Sequence, residues 1–203
     1  MRTRIISHIE PEALELAVKI LKKQGLVIFP TESSYGLGCL LNNQNGRRKI
    51  YKIKKRSQHK SLPVITGNVK IISKYAELTQ EDKKLIKKFM PGPLSLLVKA
   101  KPKAPKEFQK NGIVFRVSSN AFARNLSLKT NQPIISTSAN ISSKPSAYTL
   151  SEVIRLFAGR VDLIVEAGNL KKRTASTIYD TKNKKVIRKG PVTEKEILNV
   201  IEK

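Results

Sequence analysis

Short apolar runs bounded by proline, glycine or hydroxyl residues recur along this chain and alternate with amphipathic stretches. Leu26-Val27-Ile28-Phe29, closed by Pro30, is the clearest, because an uninterrupted apolar run suits a strand buried on both faces. Leu94 to Ala100, Ile113 to Val117, Pro133 to Thr137, Leu163 to Glu166, Ser176 to Asp180 and Val186 to Arg188 also read as strands. So does Ser61 to Ile65, where Pro63 predicts an edge strand or an irregular start. Helical periodicity runs through Glu12 to Gln24, with Leu14, Ala17, Val18 and Leu21 on one face and Gly25 expected to stop it. Further helices are expected over Arg47 to Lys55, Thr79 to Phe89, Asn120 to Lys129, Ser151 to Phe157 and Glu194 to Ile201, with Thr79 and Asp82 forming a capping box. Lys101 to Gly112 is polar and contains prolines, and is expected to be a mobile loop. Some strand pairs lie too close for a helical crossover, so the fold class predicted is α/β, with a twisted mixed parallel and antiparallel sheet flanked by helices. One domain is expected to span residues 1–203, a length that allows a substantial core.

Charge narrows the choice of partner. Forty lysines and arginines against 15 acidic residues give a formal net charge of +25, more than folding requires. Such a surface attracts polyanions, RNA and nucleotides among them. Lysine outnumbers arginine 29 to 11, however, and a lysine-rich genome would place residues such as Lys83, Lys84, Lys87 and Lys88 on ordinary helix surfaces without any such partner. The single Cys39 permits no internal disulfide and no cysteine-built zinc site. No window reads as a membrane span or a secretory signal, so no membrane contact and a cytoplasmic location are expected.

Three segments carry chemistry. Lys54-Lys55-Arg56-Ser57-Gln58-His59-Lys60 concentrates cations at an expected helix end, where Lys54, Arg56 and Lys60 can converge on phosphate oxygens. Ser33, Ser34, Tyr35, Gly36 and Gly38 follow a buried strand, at the kind of strand end where α/β sheets collect ligands. Ser136, Thr137, Ser138 and Asn140 repeat that design, although a turn or a cap would use the same residues. Arg116 sits inside a β-run. A sheet salt bridge would satisfy it, but acidic residues are scarce, which favours a ligand carboxylate. No nucleophile elbow, Walker A sequence, paired carboxylates or metal-ligand spacing appears, so any catalysis works by charge and positioning.

In order along the chain, these segments resemble the YrdC/Sua5 family of threonylcarbamoyl-adenylate synthases. The resemblance rests on Pro30 to Gly38, Lys54 to Arg56, Pro91-Gly92-Pro93-Leu94-Ser95, Phe115-Arg116-Val117, Ser138 to Ser143, Ser176 to Ile178 and Arg188-Lys189-Gly190. Glu32 stands where the family usually has Asp, Ser33 replaces a Thr, and Ser143 a common Gly. The resemblance implies the short form of the family fold with a basic concave cleft. It also implies a nucleotidyltransferase that combines L-threonine, bicarbonate and ATP into threonylcarbamoyl-AMP and diphosphate. A downstream transferase complex would then use that product for t6A37 modification of tRNA. It assigns Lys54, Arg56 and Lys60 to catalysis at the triphosphate. ATP binding falls to Arg56, Lys60, Gly112, Asn140 and Arg188, and threonine binding to Ser33, Arg116, Ser138 and Ser176. Mg²⁺ is expected on the phosphates and water, with no protein metal site. The alternative is a non-catalytic module that binds tRNA or double-stranded RNA. A related-fold riboflavin-pathway synthase would need an acidic metal site, and no acidic cluster is present in the sequence.

Overall fold

The computed structural model describes residues 2–202. Its strands are β1 (Arg4–Ser7), β2 (Val27–Pro30), β3 (Tyr35–Leu40), β4 (Val64–Thr66), β5 (Leu94–Val98), β6 (Ile113–Val117), β7 (Ile134–Ser138), β8 (Leu163–Glu166), β9 (Thr177–Asp180) and β10 (Lys185–Arg188). Its helices are α1 (Ala13–Lys22), α2 (Gln44–Lys54), α3 (Val69–Ile72), α4 (Gln80–Phe89), α5 (Lys106–Asn111), α6 (Ala121–Thr130), α7 (Leu150–Phe157) and α8 (Glu194–Ile201). The strands form one sheet in the order β1-β8-β2-β3-β7-β4-β6-β5-β9-β10. Pairing is parallel for β1/β8, β8/β2, β4/β6 and β5/β9, and antiparallel for β2/β3, β3/β7, β7/β4, β6/β5 and β9/β10. The mixed sheet flanked by helices is therefore the architecture the strand spacing predicts.

Side chains alternate across a strand, so each face of the sheet carries its own layer. One face presents Leu37, Cys39, Val64, Leu96, Phe115 and Ile135 to the larger core, which also holds Ile50, Leu85, Val153, Phe157 and Ile197 from α2, α4, α7 and α8. The other face presents Val27, Phe29, Leu40, Ile65, Ile134, Leu163 and Val165 to α1 and α6, through Ala17, Val18, Leu21, Ala123 and Leu126. That second layer stops partway across the sheet. Continuing along the same face of β7, Ile134 is followed by Ser136 and Ser138, which lie in the open.

Capping fixes several helix starts. Thr79 with Asp82, Thr149 with Glu152 and Thr193 with Glu196 make reciprocal capping boxes at α4, α7 and α8.

Several expectations change. Gln24, at φ 65, takes the left-handed position after α1, and Gly25 is needed instead for closeness, since a Cβ there would lie 2.6 Å from Ile20 Cγ2. Pro63 precedes β4 and does not mark an edge, because β4 lies between β7 and β6. Lys101–Gly112 is no free loop. It carries α5, whose Phe108 is buried and whose Glu107 pairs with Arg47 at 2.5 Å. The hydroxyl-rich turn after β2 is only Thr31–Ser34, and Tyr35–Leu40 is itself a buried strand. Gly38 is there because a Cβ would lie 2.2 Å from the Ile135 carbonyl oxygen.

Candidate active site

A cavity of about 410 Å³ opens on the sheet face that α1 and α6 leave bare. Most of the strand residues lining it share one parity: Gly36 of β3, Ser136 and Ser138 of β7, Ile65 of β4, Val114 and Arg116 of β6, Ser95 of β5 and Ile178 of β9. The register explains this assembly. Gly36 pairs with Ser138, Ile65 with Arg116, and Ser95 with Ile178. The β9/β10 ladder shifts between Val186 and Arg188, which sets Arg188 opposite Ile178 and turns its side chain to the same face.

The walls are loops. The four-residue turn Thr31–Ser34 is held by Thr31 Oγ1, which donates to the Ser34 carbonyl at 2.6 Å and accepts from the Ser33 and Ser34 amides at 3.3 Å. This leaves the Ser33 side chain on the cavity wall. After α2, Lys55 adopts a left-handed conformation at φ 49 and turns the chain, which carries Arg56 to the rim. Arg56 donates from Nη2 to the Ser61 carbonyl at 3.0 Å and from Nε to the Lys60 carbonyl at 3.4 Å. A second cavity of about 480 Å³ adjoins the first and shares Ser33, Arg173 and Ser176 with it.

The electrostatics are one-sided. Arg56, Arg116, Arg173 and Arg188 line the first cavity, where no carboxylate of the described residues lies, and Glu32 lines the second. Arg188 donates from Nε to the Ser176 carbonyl at 2.9 Å and from Nη2 to Ser176 Oγ at 3.1 Å, and Ser176 Oγ lies 2.8 Å from Ser95 Oγ. Burial, followed by the neighbouring Arg116 charge, lowers the Arg188 pKa below its usual value. Such a site is poised to receive anionic groups.

Six of the ten residues singled out in the sequence come together in this cavity: Ser33, Arg56, Arg116, Ser138, Ser176 and Arg188. Four do not line it. Lys60 is exposed and uses its carbonyl to accept from Tyr51 Oη at 3.1 Å. Gly112 caps α5 at φ 77, packed against the Val98 carbonyl. Lys54 and Asn140 are buried behind the cavity wall. Lys54 Nζ donates to the Ser138 carbonyl at 2.5 Å, the Asn140 carbonyl at 2.9 Å and Asn140 Oδ1 at 2.7 Å, so its three protons are all engaged. Asn140 Oδ1 also accepts from Ser138 Oγ at 2.8 Å, while Asn140 Nδ2 donates to the Lys144 carbonyl at 2.5 Å. Burial, with Arg56 as the smaller cause, lowers the Lys54 pKa to about 8. Lys54 is thus the clamp that shapes the turn after β7.

Despite the scarcity of acidic residues, Arg116 has an internal partner, contrary to the expectation from composition. Arg116 Nη1 is ion-paired with Glu32 Oε1 across the sheet, and one acidic residue on the right turn suffices. Sequence reasoning also missed Arg173 and Tyr148, both in the cavity wall. Lys171-Lys172-Arg173 was the available signal, and the lysine surplus concealed it. Lys172 Nζ sits 5.6 Å over the Tyr148 ring, and the Leu170 amide donates to the Tyr148 carbonyl at 2.8 Å, so this strap is tied to the wall it completes.

Comparison with known proteins agrees with this geometry. A Methanocaldococcus jannaschii protein is 34% identical over 90% of this chain and 88% of its own length. A Psychromonas ingrahamii protein named threonylcarbamoyl-AMP synthase is 33% identical over 85% of this chain and 94% of its own. The crystal structure of P. abyssi Sua5 complexed with L-threonine superposes with a TM-score of 0.89 at 29% identity, covering 98% of this chain. The present chain spans only 61% of that Sua5 chain. E. coli YciO has the same fold, with a TM-score of 0.84 at 24% identity and coverage of 97% and 98%. Residues 19–190 match the family model Sua5_yciO_yrdC, described as telomere recombination, and the chain belongs to the Sua5/YciO/YrdC family.

Proposed function

We propose that this protein is a threonylcarbamoyl-AMP synthase, a nucleotidyltransferase that makes threonylcarbamoyl-AMP and diphosphate from L-threonine, bicarbonate and ATP. The observation that carries the reading is the convergence of four guanidinium groups over a floor of serine hydroxyls. That pairing suits a carboxylate-bearing, hydroxylated substrate beside a polyphosphate. The names of the relatives point to the same reaction.

In this reading Arg116 binds the threonine carboxylate, and Ser33, Ser138 and Ser176 hydrogen-bond its polar groups. The threonine ammonium first loses a proton to solvent; the neutral amine then attacks the carbon of bicarbonate, water leaves, and the N-carboxylate forms. An oxygen of that carboxylate then attacks the α-phosphorus, and the bond to diphosphate breaks. Arg56, Arg173 and Arg188 offset the charge that builds on the phosphates, with Lys60 able to approach from the rim. Lys54 acts as a positioning residue through Ser138 and Asn140. Asn140 shapes the nucleotide side by holding the turn to Lys144, and Gly112 acts only at a distance, through the β5–β6 connection. Among the described residues no three His, Cys, Asp or Glu side chains converge, so the residues present fit a Mg²⁺ carried on the phosphates and water. The product would pass to a t6A-forming transferase complex in the cytoplasm. Among the described residues no helix is long and apolar enough to cross a membrane.

The test is diphosphate release from ATP by purified protein, with threonine and bicarbonate omitted in turn. Release is expected only when both are present. Absence of release from folded protein with Mg²⁺ supplied would overturn the enzyme reading and leave binding of RNA as the use of the charge.

A further inference from the structure

The strap Gly168 to Ala175 joins β8 to β9 without regular secondary structure and borders both cavities. Its two ends are pinned. Tyr35 Oη donates to the Gly168 carbonyl at 2.8 Å and accepts from the Ala167 amide at 2.8 Å, and Tyr35 itself is buried in β3. At the far end Arg188 holds the Ser176 carbonyl, and the Thr177 amide donates to the Pro93 carbonyl at 2.9 Å. Gly168 turns the chain at φ 63, and a Cβ there would meet nothing within 4 Å, so this glycine serves conformation and not packing.

Between those ends the strap is loosely held. Leu170 rests on the Tyr148 carbonyl at 2.8 Å, and Lys172 Nζ on the Tyr148 ring at 5.6 Å. Among the described residues, Lys171 through Ala175 make no hydrogen bond and no ion pair, and all of them are exposed. Arg173 thus differs from the other arginines of the site, since carbonyls hold Arg56 and Arg188, and Glu32 holds Arg116. It lines both cavities, whereas Lys172 and Thr174 line only the second. Lys171-Lys172-Arg173 beside a cavity lined by Arg56, Arg116 and Arg188 is repelled by it, and an anion placed between the two groups turns that repulsion into attraction. A span with fixed ends, few bonds and a charge balance that an anion reverses can close.

We propose that Lys171–Ala175 is an anion-driven lid, parked on the Tyr148 ring, which closes on a polyphosphate by carrying Arg173 onto it. Closure breaks the Lys172–Tyr148 contact and keeps Leu170 on the Tyr148 carbonyl as the pivot. Tyr148 is then a positioning residue that acts through the strap. Its ring is what counts, because its hydroxyl makes no hydrogen bond among the described residues. The proposal rests on the reading of the first cavity as a triphosphate site given above.

The experiment is timed tryptic digestion of the full chain, with mass mapping of cuts after Lys171, Lys172 and Arg173. It is run alone and with saturating ATP, diphosphate, AMP or L-threonine, and calorimetry measures the binding. ATP and diphosphate should slow cutting of the strap by roughly tenfold, the size of one charge-assisted hydrogen bond. AMP should slow it less, and threonine not at all. In Arg173→Gln, which keeps the cuts after Lys171 and Lys172, ATP should still bind but no longer protect. Tyr148→Leu frees the parked strap, so cutting without ligand should rise and ATP should bind more tightly, each by about two- to fivefold, the worth of an exposed cation–π contact. Tyr148→Phe should match wild type. Equal cutting with and without bound ATP, protection that survives in Arg173→Gln, or weaker ATP binding in Tyr148→Leu would overturn the proposal while leaving the synthase reading intact. Protection by ATP without diphosphate release when threonine and bicarbonate are supplied would keep the lid and overturn the synthase reading. ATP that does not bind at all would overturn both.

Discussion

On one face of the sheet two regions meet halfway along β7. The β1–β8–β2 side lies beneath α1 and α6, sealed by Val27, Phe29, Ile134, Leu21 and Leu126. α6 still covers β4 at Ile65, whereas Ser136 and Ser138 of β7, Arg116 of β6 and Ser95 of β5 face a cavity. The strands continue unchanged from one side to the other, and so does the large apolar layer on the opposite face. What differs is how each residue is satisfied. The sealed side needs only apolar volume, and any side chain that fills it contributes. In the open side each polar atom needs a particular partner, as in the Lys54–Asn140–Ser138 and Glu32–Arg116–Ser118 networks. The two sides should therefore fail in different ways.

The largest effect is expected on the open side. Arg116→Ala should lower kcat/KM for threonine by about a thousandfold, the scale on which losing one partner of a buried charge pair is felt. Binding of a generic RNA should hardly change. Steady-state diphosphate release and salt-dependent RNA titration would measure the two. Equal loss of both would show that the arginine supports the fold as a whole and would erase the contrast. The sealed side should behave in the opposite way. Leu126→Ala, a fully buried side chain of α6, should cost about 2–5 kcal/mol of unfolding free energy, read by denaturant titration. Half-saturation for ATP and threonine should stay as in wild type.

Lys54 sharpens the comparison, because it is as buried as any core residue yet serves the open side. Lys54→Met keeps the volume and strands the Ser138 and Asn140 carbonyls, so it should cost about 1–3 kcal/mol in stability as well as weakening ATP binding. The wild type offers a test without mutation. Below about pH 8 the ammonium fills all three acceptors, whereas above it the neutral amine can donate only two bonds. ATP affinity, measured without threonine so that no substrate amine titrates, should fall as pH rises through about 8. In Lys54→Met that step should vanish. A pH-independent wild type would mean that the clamp does not shape the nucleotide side.

What the sequence made legible follows the same division. Strands such as Leu26–Phe29 and helices such as α1 announce themselves because their own residues carry the period that buries them. β1 and β3 do not: Arg4–Ser7 holds only two apolar residues, and Tyr35–Leu40 includes two glycines, required by neighbours in the sheet. α5 is equally hidden, since Phe108 and the Arg47–Glu107 pair hold it in place from outside its own sequence. In the site, residue type was legible but direction was not. Lys54 and Arg56 sit two positions apart, yet the left-handed Lys55 sends one into the wall and the other to the rim. Arg173 was hidden by the lysines around it, and the Glu32 partner of Arg116 by its distance along the chain.

The smallest effect lies in the turn that Lys54 holds. Ser143 adopts φ 68, a conformation that glycine takes without strain and that a side chain resists. Ser143→Gly relieves that strain but gives the unfolded chain more freedom to lose, so the two terms partly cancel. A net gain of about 0.5 kcal/mol is expected, too small to move activity if the clamp alone sets the turn. Should ATP affinity shift along with this small change in stability, the strained residue would itself be holding the Asn140 turn. The open side would then depend on backbone conformation as well as on its polar partners, a dependence the sealed side does not share.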